Sequence, residues 1–260
     1  MVIFADILKQ YPDGLSGFKQ FILREYLQYK ILQILFESEY AQHFCFLGGT
    51  CLRIVHGNTR FSEDLDFDNF NISPESFEAV AHVIKAALTK EGFEVEINTV
   101  HKGAYHCKVR FPALLYNQGL SSFKEEKILI QLDTEAQNFA FEPEKVILNK
   151  FDVFTQISVT PLDLLLAQKF YAIINRKRNK GRDFFDVVFL LSLVRAPNYG
   201  YLAQKLGINS PSQLKEALLQ KCVNLDMQEM AKDVEPFLFN PQGVNKVKLF
   251  TAYIEQERLQ

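Results

Sequence analysis

Asp64 and Asp66, separated only by Leu65, are the side chains in this sequence best spaced to share one cation. Leu65 and Phe67 alternate with them as the buried residues of a half-exposed strand do, so both carboxylates leave the same face. Two neighbouring acids repel and resist ionisation unless a positive charge lies between them. A hard divalent ion, magnesium or manganese, fits that role. Such an ion binds one or two protein carboxylates plus phosphate oxygens and offsets the charge of a moving phosphoryl or nucleotidyl group. Asp68 continues the alternation, either as a third acid or, on the plainer reading, as the solvated end of the strand.

The phosphate side of that chemistry has a candidate just upstream. The apolar run Phe44-Cys-Phe-Leu reads as a buried strand that stops at Gly48-Gly49. Thr50 is placed to cap a helix over 51–56, which Gly57 would end. Glycines let a phosphate approach the backbone closely, and a helix start favours negative charge. A Gly-Gly-Thr turn alone usually just joins a strand to a helix; followed by Asp-Leu-Asp it points to a triphosphate.

Positive charge comes much later in the chain. Thr160-Pro161 is a good helix start, and 162–176 runs on without a breaker. Lys169 and Arg176, seven residues apart, share one helix face. Arg176-Lys-Arg-Asn-Lys-Gly-Arg182 then packs five cations into seven residues. It could hold a triphosphate, an RNA backbone or an acidic partner protein, or be a solvated basic loop. A second helix starts at Arg182, with Asp183 and Asp186 neighbours on its surface. These acids serve either an active site or ion pairs with nearby arginines. Asp183 also suits the first-turn helix dipole.

Stepping between these points are elements of mixed type. An amphipathic helix spans about 15–40, and a second helix spans 74–91. Strand patterns occupy 93–100, 105–111 and 127–133. In the last, Ile128, Ile130 and Leu132 face one way while Gln131 and Asp133 face the other. Asp133 is thus either a third acid or a strand-ending aspartate in a turn. His101 and His106 flank a hairpin turn and read as exposed rather than catalytic. From Pro161 onward the pattern is helical, broken at 196–200, 207–211 and 240–243. The expectation is an α+β protein, with an N-terminal helix and mixed-sheet core over 1–155 and a mostly helical region over 156–260.

The run Gly48-Gly-Thr-x-Leu-Arg53, Gly57 and Arg60-x-Ser62-x-Asp-Leu-Asp-Phe resembles the signature of the AbiEii/AbiGii family. These are bacterial nucleotidyltransferase-like toxins of the DNA polymerase beta-like superfamily. Leu166-Ala-Gln-Lys-Phe-Tyr-Ala, Arg176 and Arg182-Asp-Phe-Phe-Asp resemble that family's downstream motif. The resemblance covers roughly 44–192. It implies catalytic Asp64, Asp66, Lys169, Asp183 and Asp186, with nucleotide held by Gly48, Gly49, Thr50, Arg53, Ser62, Arg176 and Arg182. It also implies that Asp133 could be the third carboxylate, as metal ligand or as base for the attacking hydroxyl. The implied activity is transfer of a nucleoside monophosphate from a triphosphate to a hydroxyl, plausibly the 3′ end of a transfer RNA. Growth arrest and a cognate antitoxin protein would follow. A phosphotransferase of the same fold and an inactive nucleotide-binding regulatory module are the alternatives.

Composition fits this reading. The 260 residues are 48% apolar and 23% charged, enough for one large core or two modest ones. Asp6 and Lys9 interrupt the only apolar N-terminal run, and nothing approaches the ~20 apolar residues of a membrane span, so a cytoplasmic protein without a membrane role is expected. Cys45, Cys51, Cys107 and Cys222 lack Cys-x-x-Cys spacing, which argues for reduced, core-filling thiols and against a zinc site.

Overall fold

Residues 3–260 are described by a computed structural model, and they divide into two compact units. The first comprises Met1–His56 and Phe61–Val159; the second comprises Gly57–Arg60 and Thr160–Gln260.

The first unit is built on a mixed sheet. In chain order it contains α1 (Phe4–Leu8), α2 (Lys19–Phe36), β1 (Phe44–Leu47), α3 (Gly48–Ile54), β2 (Leu65–Asn69) and α4 (Pro74–Lys90). There follow β3 (Glu96–Lys102), β4 (Ala104–Phe111), α5 (Leu114–Asn117), β5 (Ile128–Glu135), β6 (Glu144–Lys150) and β7 (Val153–Val159). The seven strands lie in the order β3-β4-β5-β2-β1-β7-β6. β2 is central, antiparallel to β1 and parallel to β5. This is the expected α+β class.

Local patterning explains these elements. Phe77, Val80, Ala81, Ile84 and Leu88 recur at helical spacing and are all buried, while the Ser73 side chain caps α4 by accepting from the Ser76 amide. Leu65 and Phe67 are buried in β2, and Ile128, Ile130 and Leu132 in β5, as their alternation requires. The hairpin of β6 and β7 has no counterpart in the sequence reading. Its turn places Phe151 at φ +58°, a non-glycine signal that composition does not reveal. All four cysteines are buried, and burial raises the thiol pKa of Cys51 and Cys107.

The second unit is helical: α6 (Leu162–Asn175), α7 (Gly181–Leu191), α8 (Tyr199–Leu206), α9 (Pro211–Val223), α10 (Met227–Val234), α11 (Asn245–Lys248) and α12 (Phe250–Gln256). Its core includes Leu164, Leu165, Phe170, Phe184, Leu190, Leu214 and Phe250, with the Phe184 and Phe250 rings edge-to-face at 4.9 Å. The start of α7 packs tightly. A Cβ on Gly181 would overlap the Met230 carbonyl, and the Gly181 amide donates to Asp233 Oδ2 at 2.8 Å. No described helix is long and apolar enough to cross a membrane.

Candidate active site

The glycine turn and the acidic strand meet as the motif suggested, with different local geometry. Gly48 has φ +79°, a conformation that L side chains avoid. A Cβ there would lie 2.8 Å from Asp66 Cγ and closer still to Oδ2. The Asp66 carboxylate therefore sits against the turn's backbone, in space that only glycine leaves. The expected Thr50 cap is not found: α3 begins at Gly48, with Leu47 at the cap position and no side-chain bond there. Thr50 is fully buried instead, and its hydroxyl donates to the Asp64 carbonyl. That bond ties the first turn of α3 to the start of the acidic segment. Ser62 is half-buried in the same segment, and its carbonyl accepts from Gln28 Nε2 at 3.1 Å.

Sheet register places a second acid beside Asp66. Parallel pairing aligns Asp66 with Asp133, and antiparallel pairing aligns Asp133 with His106, so these side chains form a row on one face of adjacent strands. His106 Nδ1 lies 2.6 Å from Asp133 Oδ1, and Gln131 Nε2 donates to both carboxylate oxygens at 2.8 and 3.0 Å. His106, expected to be exposed, is half-exposed and hydrogen-bonded to Asp133. The signal was present: Cys107, Val109 and Phe111 are the buried positions of β4, which turns His106 to the face of Asp133. Asp68 also departs from expectation. It is 2% exposed rather than solvated, and accepts from the backbone amides of Asn69 and Gln137 at 2.8 and 2.9 Å.

Asp64 and Asp66 are both half-exposed and offer only oxygen donors beside the turn. Among the described residues no group of three or more His, Cys, Asp or Glu side chains encloses a metal position. Two carboxylates with oxygen donors only are a set that fits a hard cation such as magnesium, which takes its remaining ligands from phosphate oxygens and water.

Arg53 is used internally. Its guanidinium donates to Glu25 Oε2 at 2.7 Å and Oε1 at 3.2 Å, while Lys150 and the Tyr11 hydroxyl reach the same carboxylate at 2.8 and 2.7 Å. Burial pushes the Glu25 pKa up, but Arg53 and Lys150 outweigh it and hold the carboxyl below its usual range. Arg53 thus pins α3, and with it the glycine turn, to α2.

The downstream motif residues gather in the helical unit. Lys169 Nζ lies 2.9 Å from Asp183 Oδ1 and 2.8 Å from Asp186 Oδ2. Asp186, with no exposed surface, also accepts from Arg60 Nε at 2.7 Å, the Arg60 terminal nitrogen at 2.6 Å and Asn58 Nδ2 at 2.9 Å. Arg176 closes on Asp183, and Arg182 lies over the Phe237 ring at 4.9 Å. Burial disfavours the Asp186 charge, yet Arg60 and Lys169 push its pKa down to about 2. Burial likewise opposes the Lys169 charge, and Asp183 and Asp186 overcome it, so the ammonium stays protonated. Two of its three N–H groups are committed; the third has no partner among the described residues. The sequence pattern did not show that Asn58 and Arg60, from the loop after α3, complete this cluster.

Solved structures share this fold, a mixed sheet flanked by helices. JHP933 from Helicobacter pylori is 17% identical with a TM-score of 0.56, covering 92% of this chain and 93% of that one. A second H. pylori protein, provisionally named a nucleotidyltransferase, is also 17% identical with a TM-score of 0.56, covering 92% and 96%. Residues 30–246 match the family described as the nucleotidyl transferase AbiEii toxin of type IV toxin–antitoxin systems, and the chain belongs to it. No curated protein matches.

Proposed function

We propose that the chain transfers a nucleoside monophosphate from a nucleoside triphosphate to an acceptor hydroxyl, releasing pyrophosphate. The observation that carries this reading is the Asp66 carboxylate seated against Gly48, with Asp133 in register beside it. Asp64 and Asp66 would hold magnesium, which neutralises triphosphate charge and aligns the α-phosphorus when bound. The Gly48–Gly49 backbone and Ser62 hold the departing phosphates by hydrogen bonds. Lys169, kept protonated by Asp183 and Asp186, supplies cationic charge through its uncommitted N–H, where positioned charge lowers a barrier most. Asp133 accepts the proton of the attacking hydroxyl, with its carboxylate aimed by His106 and Gln131. Arg53 acts through α3 as a positioning residue, and Asp186 acts through Lys169 and Arg60 in the same way.

The acceptor is the 3′ end of transfer RNA, the outcome is growth arrest, and the cell that makes the protein carries a cognate antitoxin. Membership of a toxin–antitoxin family supports the last two points; the transfer RNA acceptor rests on the motif resemblance alone. The test is to incubate the protein with magnesium, each triphosphate in turn and total transfer RNA, then sequence the 3′ ends. One or a few added nucleotides, absent with Asp64→Ala and Lys169→Ala, are expected. Unchanged 3′ ends with every triphosphate would remove the transfer RNA assignment.

A further inference from the structure

The segment joining α6 to α7 presents cations from a fixed platform. Asn179 is 7% exposed, and its Nδ2 donates to the Ile173 carbonyl at 2.7 Å. Lys221 of α9 donates to the Ile174 and Arg176 carbonyls at 3.1 and 2.8 Å. The carbonyls of Ile173, Ile174 and Arg176 at the end of α6 thereby gain donors, and the Lys221 ammonium complements the helix's negative dipole end. Lys177 and Arg178 are exposed and Lys180 is half-exposed, and none of their side chains bonds to another described residue. These three cations make no ion pair within the described residues, and their mutual repulsion is relieved by an external anion.

Beside them is a cleft of about 520 Å³ walled by Lys177, Asn179, Gln220, Lys221 and Asn224. Its apolar wall is only Ile174, Ala217 and Leu225, with no aromatic ring. Protein interfaces centre on aromatic anchors, and single-strand binding sites stack bases on aromatic rings. Neither device is here. A cationic ridge beside a groove that offers the exposed Gln220 and Asn224 amides is suited to phosphate and ribose oxygens, which carry no sequence information.

We infer that the 176–180 segment and the α9 face beside it form an RNA docking surface that grips the backbone of a base-paired stem. The inference rests on the nucleotidyl-transfer reading only for what becomes of the RNA once docked. Lys177, Arg178 and Lys180 are outside the proposed catalytic set, so docking and chemistry separate experimentally.

The experiment measures binding of the full chain, without triphosphate, to a labelled hairpin RNA, to an unpaired RNA of equal length and to polyglutamate across a salt series. The parent is compared with Lys177→Ala/Arg178→Ala/Lys180→Ala. The hairpin should bind the parent best, and the triple variant should bind it at least tenfold more weakly, with the log-log salt slope flatter by about two to three units. Equal hairpin binding by parent and variant overturns the inference, as does tighter parent binding of the unpaired strand. Tighter binding of polyglutamate than of hairpin also overturns it and assigns the surface to an acidic protein. Thermal unfolding of the variant at the parent's temperature excludes a folding defect. A parent that docks RNA yet transfers no nucleotide refutes the enzymatic reading alone.

Discussion

Replacing Asp186 by alanine tests whether the helical unit is organised around its buried charges. Asp186 receives four donor contacts, from Arg60 twice, Asn58 and Lys169, at 2.6 to 2.9 Å, and has no exposed surface. Its removal leaves the Arg60 guanidinium, 2% exposed, without its bidentate carboxylate, and leaves Lys169 with Asp183 alone. Breaking a buried ion pair from one side costs about 3–5 kcal/mol, because the surviving charge stays desolvated. Protonation gives a lower bound. A carboxyl pKa moved from 3.8 to about 2 is worth about 2 kcal/mol. Against a total of roughly 5–15 kcal/mol, Asp186→Ala should shift the urea midpoint of the helical circular-dichroism signal strongly. The isosteric apolar double variant Arg60→Met/Asp186→Leu should recover much of the loss, because it removes both charges. A cost below about 1 kcal/mol for Asp186→Ala, or no recovery in the double variant, would refute the reasoning.

Other perturbations have equally definite outcomes. Acid should weaken the same cluster: a carboxyl with a depressed pKa contributes stability that is full above its unfolded value of 3.8 and is lost as pH falls through about 2, so a urea series from pH 5 to pH 2 should show a steeper decline in the parent than in Arg60→Met/Asp186→Leu, which keeps only the other ion-paired acids such as Glu25. Gly48→Ala should lower transfer by at least about 100-fold while the fold persists, since the new Cβ displaces Asp66; a near-parental rate would separate Asp66 from the reaction. His106→Asn keeps a donor where Nδ1 stands and should retain transfer, whereas His106→Gln and His106→Ala should lose roughly 10-fold or more in kcat with the triphosphate KM unchanged; rescue by Gln rather than Asn would show that Nε2 is the working atom. Arg53→Met should raise the triphosphate KM and Glu25→Gln should do the same, since both release α3 from α2; a change in kcat alone would argue that Arg53 touches the reacting phosphate.

The acidic strand was legible in the sequence because alternation dictates which side chains share a face, and Leu65 and Phe67 are buried as that rule demands. The same rule carried Asp133 to the right face of β5. Pairing was the missing step: only the register of β2, β5 and β4 makes Asp66, Asp133 and His106 neighbours, and register depends on contacts far apart in sequence. Helix starts were misplaced where backbone conformation overrode propensity, as at Gly48, where a left-handed glycine opens α3 two residues before Thr50. The partners of buried charges were not legible where they lie far along the chain. Arg53 is 28 residues from Glu25, and Arg60 is 126 from Asp186, spacings with no periodic signature.

The most direct measurement follows radiolabel from triphosphate to acceptor, with α- and γ-labelled substrates in parallel and Asp66→Asn beside the parent. The account predicts α label on the acceptor, γ label in released pyrophosphate, and loss of both with Asp66→Asn. Transfer of γ label to the acceptor, or undiminished α transfer by Asp66→Asn, would contradict it.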